Sequence, residues 1–500
     1  MKKVVILGQS SEAVLYAIAI KVRLSCEVIL IKDINQPEPH RYIETLLPDT
    51  LRILNQLGLK EQQWLPEVDG VYCTAIEVTT ADAYNVMLPF SPIGTNINGL
   101  DFHSVAFNTL NKINGKEFEA FSLGAQMSRK GKFVHPVNDD NSVLSSFDYG
   151  VNVDNIKFAH FLNAYAKYLN IEIIHADTLS FDWAFCENAS ENQVKTLRCN
   201  TSSKDVLEVH NIDFLIDSAE SSYTLRADAQ LDNIFENDIS PSIQRQVSMS
   251  VEVNSPRLFS PQCLSLEVGQ LFIRASSKTL CLQLFLQDGV SLIDGETALR
   301  KFASSYPYLP LINDEIAKGK VNTVISSKQP LKSLPWQANV IKASNLYELC
   351  PVLQGSIALH LENVMSFIDL APNTSAHSSL RNEYNRQFVV RHNEYNSFAE
   401  LVIHLMSKKQ AAKLKSEKAS RVLKLYQNTG RYMSEANQVV DNTYWLNILL
   451  VLAGSPNNYN KMLAIPSETR DILERIKNII SVTCEQLPET NVYMKHLLNQ

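Results

Sequence analysis

The stretch Lys3–Ile31, KVVILGQSSEAVLYAIAIKVRLSCEVILI, decides the fold. Lys3 to Leu7 is a short, apolar, β-branched run, the pattern of a strand buried on both faces. Glu12 to Val22, rich in Ala and Leu, predicts a helix. Cys26 to Ile31 predicts a second buried strand. Strand, turn, helix and strand within about thirty residues make a βαβ unit. In a dinucleotide-binding unit the turn after the first strand reads G-x-G-x-x-G. Here Gly8, Ser10 and Ala13 fill that frame, so one glycine is kept and two small residues replace the others. The acidic residue expected at the end of the second strand is Lys32, with Asp33 beside it. The stretch therefore reads as a degenerate Rossmann unit.

Composition sets the wider bounds. With 500 residues, 45% hydrophobic and 20% charged, the chain is globular and holds several domains or one large interleaved fold. Its net charge of −7, from 46 Lys+Arg against 53 Asp+Glu, excludes a general nucleic-acid coat. Glycine is scarce: 16 residues, about 3% against a usual ~7%. Nucleotide sites use glycine where backbone must touch phosphate, so this chain is poor in the residue such sites depend on. The 8 cysteines form no C-x-x-C and no zinc spacing, which predicts reduced, buried thiols. The apolar run of MKKVVILG stops at Gly8, and Tyr444 to Ala453 is too short to span a bilayer. A soluble, cytoplasmic protein with no membrane contact is expected.

Further along, Asp49 to Leu57 predicts an amphipathic helix ended by Gly58. Tyr72 to Val78 and Tyr84 to Pro89 predict strands. Phe158, Phe161, Leu162, Tyr165 and Leu169 fall at helical spacing after a capping Asp154 or Asn155. Ile171 to Ile174 and Asp213 to Asp217 predict strands, and residues 186–204 a polar surface hairpin or loop. Residues 247–290 alternate apolar and polar, which predicts antiparallel sheet with one wetted face. Gly355 to Leu370 and Glu383 to Leu405 predict helices, and the remainder to Gln500 is mostly helical.

In order and spacing these segments resemble the flavin-dependent tryptophan halogenase family over about residues 3–405. VVILGQSSEA opens the match. HRYIETLLPDTLRILNQLGLKEQQWL looks like the family's G-V-G-E-A-T-x-P loop, helix and Trp. VNVDNIKFAHFLNAYAKYLNIEII and FLIDSAE follow, the latter where the family has a strand ending in Asp-Cys-Ser-Gly. NVIKASNLYELCPVLQGSIALHLENV lines up with the flavin-contacting segment, and NEYNR at 382–386 with a Tyr-Asn helix.

The resemblance implies an α/β fold: an FAD-type Rossmann-like sheet interleaved with a mixed β substrate-side layer. Residues 1–400 would hold this fold. Its nucleotide-binding segments lie near 1–60, 150–220 and 335–372, and its substrate-side segments near 70–150 and 221–334. Residues 401–500 would form the helical C-terminal region. It also implies the chemistry. Reduced FAD, supplied by a flavin reductase, and oxygen convert a halide to hypohalous acid. A Lys and a Glu then direct that oxidant onto an aromatic ring such as tryptophan or an indole.

Residue by residue, Thr74 stands at the Lys position and Leu353 at the Glu position. Thr has no ammonium and Leu no carboxylate. The flavin-side positions are Gly8, Ser10, Ala13, Lys32, Glu44, Asp217, Ala343 and Pro351, and the backbone at Gln354 and Gly355 would hold halide. Larger residues replace the family's glycines at Ser10, Ala13, Ile43 and Ala343, so FAD binding is expected to be weak. The family's W-x-W-x-I-P string has no counterpart; LFSPQCLSLEV, the nearest segment, holds no Trp. Three readings stay open: a diverged active halogenase or monooxygenase, a family member that has lost catalysis and acts as a partner, and an unrelated α/β binding protein. A homodimer is compatible with each. Cys350 and His360 read as a buried thiol and a core or groove histidine, and Trp336 as a packing residue.

Overall fold

The computed structural model describes residues 2–33, 41–80, 84–110, 112–139, 141–186, 191–200, 206–218, 245–253, 260–287, 289–305, 321–325, 334–343, 350, 356–370, 378–407, 414–434, 438 and 440–498. At its centre the strand Lys3–Leu7 pairs in parallel with Glu27–Asp33 on one side and Phe214–Asp217 on the other. Val340–Lys342 extends this sheet in parallel beyond Phe214–Asp217, and Glu172–Ala176 does so beyond Glu27–Asp33. The short strand Trp336–Gln337 closes the far edge antiparallel. The expected register of Val4–Leu7 beside Val28–Ile31 is the one observed.

Each face of this sheet has its own cover. Val4, Ile6, Val28, Leu30, Phe214 and Ile216 pack with the helices Ser11–Arg23, Asn155–Tyr168 and Ser356–Leu370. Val5, Leu7, Ile29, Ile31 and Leu215 pack on a small antiparallel sheet of Thr178–Cys186, Glu191–Asn200 and Val206–His210. The polar 186–204 stretch is thus strand hairpin for the most part, because its inward residues Val194, Leu197 and Cys199 are fully buried. Buried on both faces, the central strands need the near-continuous apolar runs seen in the sequence.

A second, seven-stranded sheet lies on the substrate side, ordered Val321–Ile325, Arg245–Glu252, Thr279–Leu286, Gly269–Ala275, Gln262–Leu266, Ala75–Thr79, Asn85–Pro89. Here the expectation of one wetted face fails. Every residue of Gly269–Ala275 and Thr279–Leu286 is buried. Leu271, Ile273, Leu280, Leu282 and Leu284 pack with Leu299 and Ala303 of the helix Leu292–Ser305. The alternate residues Ser248, Gln270, Arg274, Cys281 and Gln283 face the interior, none more than 6% exposed. The alternation is real, but its polar half meets protein.

Between the two large sheets sits a three-stranded sheet of Ile43–Leu46, Gly150–Asp154 and Val71–Cys73. Asp154, fully buried, ties it to the helix Asn155–Tyr168. Its Oδ1 accepts from the amides of Ile156 (3.1 Å) and Lys157 (3.2 Å), and its Oδ2 from Arg41 Nε at 2.7 Å. Capping stabilises such a helix start by about 1 kcal/mol, and a buried carboxylate also needs its cation. The C-terminal region is helical, with Ser378–Met406, Glu417–Thr429, Asn442–Ile448, Thr469–Gln486 and Thr490–Leu498. Tyr384 and Asn385 of NEYNR clamp Trp336: Asn385 exchanges hydrogen bonds with its backbone at 3.0 and 2.9 Å, and Tyr384 meets its ring edge-on.

Replacing Asp154 tests the junction. Asp154→Asn keeps the cap and loses the charge, whereas Asp154→Ala loses both. Both variants should melt at lower temperature, Asp154→Ala lower still by the equivalent of about 1 kcal/mol. Equal midpoints for Asp154→Ala and the unmodified protein would remove Asp154 from this role.

Candidate functional site

The carboxyl ends of the parallel strands define the candidate site. Glu27–Asp33 and Phe214–Asp217 flank the first strand on opposite sides, and α/β sheets bind ligands in the crevice outside the carboxyl ends of such strands. Gly8, Ser218 and Ala343 lie side by side at this edge. Gly8 N–H donates to Ile31 O (3.0 Å), Ser218 N–H to Leu7 O (2.8 Å) and Ala343 N–H to Asp217 O (2.8 Å). Gly8 has φ +140°, and a Cβ there would come within 3.0 Å of both Ser218 O and Ala13 Cβ. Gly8 is required by this close packing. Gly8, Ser10, Ala13, Asp217 and Ala343 are therefore brought together.

The details differ from a phosphate cradle. Ser10 is the N-cap of the first helix, and its Oγ accepts from Ala13 N–H at 3.3 Å. One of the donors that a pyrophosphate would use is already engaged by the chain's own hydroxyl. Glu12 adds a carboxyl in the first turn of the same helix. Residues fitted to an anionic cofactor would leave that turn open and free of acid, so this helix start fits a pyrophosphate poorly.

Lys32 does not reach the crevice. Its ammonium donates to Asn163 Oδ1 at 2.5 Å on the helix side of the sheet, and burial lowers its pKa. Arg41 is paired with Asp154, with Glu252 at 3.5 Å as a second partner. Lys342 lies opposite Asp217 across the strand pair; burial lowers its pKa and Asp217 opposes that. His360 is buried edge-on against the Tyr16 ring, and burial holds it toward the neutral form. Cys350 is fully buried, its amide donating to Tyr395 OH at 3.3 Å.

Glu44, on Ile43–Leu46, is 3% exposed, and its Oε1 has no hydrogen-bonding partner. Burial pushes its pKa up to about 8, although Arg274 opposes the shift and Glu12 adds to it. Arg274 is 2% exposed. Its Nη1 donates to Ile43 O at 2.6 Å and Gln283 Oε1 at 3.2 Å, while Nε and Nη2 are unpartnered. Sequence reasoning overlooked Arg274. The signal was there, a lone cation inside the apolar run LFIRA.

Thr74 sits apart from this crevice, on the substrate side. It is 2% exposed and its Oγ1 donates to Gly124 O at 2.7 Å. A Cβ on Gly124 would stand 3.3 Å from Thr74 O and 3.6 Å from Thr74 Cβ, so the helix Leu123–Lys130 closes over this position. Pro351, Leu353, Gln354 and Gly355 lie outside the described residues. A cavity of about 60 Å³ opens between Leu47, Ile53, Tyr395 and Tyr444, with Asp49 and Glu362 in its wall. Burial raises the Glu362 carboxyl. Among the described residues no group of His, Cys, Asp and Glu could hold a metal ion, and no helix is long and apolar enough to cross a membrane.

Residues 3–251 match the family described as tryptophan halogenase. Solved structures resemble the chain over nearly its whole length. BrvH, a flavin-dependent halogenase from Brevundimonas sp. BAL3, is 16% identical with a TM-score of 0.77, covering 99% of each chain. Xcc4156, a flavin-dependent halogenase from Xanthomonas campestris, is 13% identical with a TM-score of 0.78, covering 99% of this chain and 98% of its own. SttH, a tryptophan 6-halogenase from Streptomyces toxytricini, is 14% identical with a TM-score of 0.78 and 99% coverage of both. No curated protein matches by sequence.

The Glu44 environment yields a pH dependence. Folded Glu44 stays protonated to about pH 8, whereas an unfolded glutamate ionises near 4.5. Over that window unfolding releases a proton, so stability falls as pH rises and levels off above pH 8. Glu44→Gln mimics the protonated form and should flatten this decline by on the order of 1–3 kcal/mol. Thermal midpoints of both proteins from pH 5 to 9 measure it; parallel curves would show that Glu44 is not the titrating group.

Proposed function

Because the chain belongs to the tryptophan halogenase family, we propose that it is a flavin-class protein for an aromatic substrate, such as tryptophan or an indole, and has lost the halogenation step. The observation that carries this is Thr74. At the position of the family's lysine stands a neutral side chain whose hydroxyl is already bound to Gly124 O. Leu353, at the position of the glutamate, brings no carboxylate. Charge and proton-transfer terms of this kind are typically worth ~10²–10⁴-fold each. Losing both removes the directing machinery even where halide still meets backbone amides at Gln354 and Gly355.

On this reading the flavin-side positions are Gly8, Ser10, Ala13, Glu44, Asp217, Ala343 and Pro351, and FAD is held weakly. Ser10 and Glu12 are the reason: one occupies a helix donor and the other brings like charge toward the phosphates. What the chain's own residues provide is a place for substrate. The cavity between Tyr395 and Tyr444 is apolar on its sides and acidic at Asp49 and Glu362, which suits an aromatic compound bearing an amine. At about 60 Å³ it has room for roughly four waters at ~15 Å³ each, so a ring enters only when its lining moves.

The second reading is a catalytically silent partner of an active relative. The same Ser10 cap favours it, since a protein that need not hold FAD has no use for an open helix start.

An assay separates active from inactive chains: flavin reductase, FAD, NADH, oxygen, chloride or bromide, and free tryptophan or indole, with products identified by mass. No halogenated product is expected from the unmodified protein. Product at rates near those of an active halogenase would overturn the proposal. The variant Thr74→Lys with Leu353→Glu, assayed in parallel, locates the loss at these two positions if product appears.

A further inference from the structure

The interior polar face of the seven-stranded sheet contains a charge the flavin reading does not use. Arg274 sits next to the last residue of the strand Gly269–Ala275, opposite Cys281 in register. Its Nη1 is consumed by Ile43 O and Gln283 Oε1. Nε and Nη2 form one edge of the guanidinium, and neither has a partner. Two more buried acceptors on the same side are unmet, Glu44 Oε1 and Gln270 Oε1. A buried cation without a counter-ion is strongly unfavourable, and a guanidinium edge is shaped to take two oxygens of one planar anion.

Among the described residues, the surrounding groups supply no such anion. Glu44 is the largest electrostatic partner of Arg274, followed by Cys281, Cys263 and Tyr42. Burial raises the thiols of Cys263 and Cys281, the latter to about 12, so both stay neutral. Asp154 is engaged by Arg41, and Glu252 faces the same Arg41 at 3.5 Å. Glu12 acts on Glu44, and His360 is held toward its neutral form. The positive edge is therefore unneutralised within its own shell.

We propose that this face is a binding site for a small monovalent carboxylate, held bidentately by Arg274 Nε and Nη2, with the Glu44 carboxyl as a second contact. The site shares Glu44 with the flavin-side positions, whereas Arg274 is not one of them. It rests on side chains, whereas the halide position expected at Gln354 and Gly355 rests on backbone. Its pH behaviour follows from Glu44. Protonated, Glu44 can donate to the bound carboxylate; ionised, it competes for the guanidinium and repels the ligand. Affinity should hold up to about pH 8, the value to which burial raises Glu44, and then fall about tenfold per pH unit. By reciprocity, bound anion raises the Glu44 pKa further.

Sodium formate is the probe, read as a thermal-midpoint increase over sodium gluconate at equal ionic strength. Gluconate carries the same charged group on a chain too bulky for a closed site. The unmodified protein should show a saturable formate increment at pH 7 that is lost by pH 9. Arg274→Met should show none at either pH. Glu44→Gln should keep the increment at pH 9, and this comparison decides the matter if Arg274→Met does not fold. Sodium bromide runs in parallel. A response to bromide without one to formate would overturn the carboxylate assignment. Equal midpoints in formate and gluconate, a formate increment surviving Arg274→Met, or identical pH profiles for Glu44→Gln and the unmodified protein would each overturn the site.

Discussion

Everything in this molecule is placed by one constraint, the burial of the strand Lys3–Leu7 on both faces and both edges. Its edges are taken by parallel neighbours, Glu27–Asp33 and Phe214–Asp217, and its faces by helices on one side and a small sheet on the other. Such a strand tolerates no polar side chain pointing either way, which is why VVIL is unbroken. Parallel neighbours also need crossovers, so the chain must leave the sheet and return. The substrate-side strands and the three-stranded junction are built on those excursions. Gly8 lies at the carboxyl end of this strand, bonded to Ile31 O and packed against Ser218.

Several polar groups at and near that end are satisfied within the chain itself. Gly8 remains because a side chain would collide with Ser218 and Ala13. That need is steric and independent of any cofactor. Ser10, by contrast, turns an open helix start into a capped one, and Arg41 is drawn off to a buried carboxylate at Asp154. At Thr74 the neighbouring helix has closed in through Gly124. Each of these polar groups finds its partner within the chain. Arg274 and Glu44 differ from these, with donors and an acceptor unmet in the interior.

Much of the architecture was legible because local pattern and tertiary role agree. The βαβ start, the Asp154 cap and the apolar strand at Asp213–Asp217 each carry their own signal. The sheet at 247–290 shows where legibility ends. Alternation announces two unlike faces but cannot say whether the polar face meets water or protein; here Ser248, Gln270 and Gln283 meet protein. The expectation that Lys32 lies in the crevice failed for a related reason. Position along a strand fixes which face a residue takes, and its face leads to Asn163 on a helix 131 positions away in sequence. The closure over Thr74 depends on Gly124, 50 residues on, and no local pattern links them.

The halogenase fold persists here, and on the proposed reading its grip on the flavin phosphates is weakened at the first helix. The most direct measurement is a calorimetric titration of FAD into the purified protein, with Ser10→Gly in parallel. Two or three charge-assisted hydrogen bonds, at roughly 1.5–3 kcal/mol each, separate a tight cradle from this one. The account predicts a dissociation constant above ~1 μM for the unmodified chain and tighter binding for Ser10→Gly. Submicromolar binding by the unmodified chain, unchanged in Ser10→Gly, would contradict it.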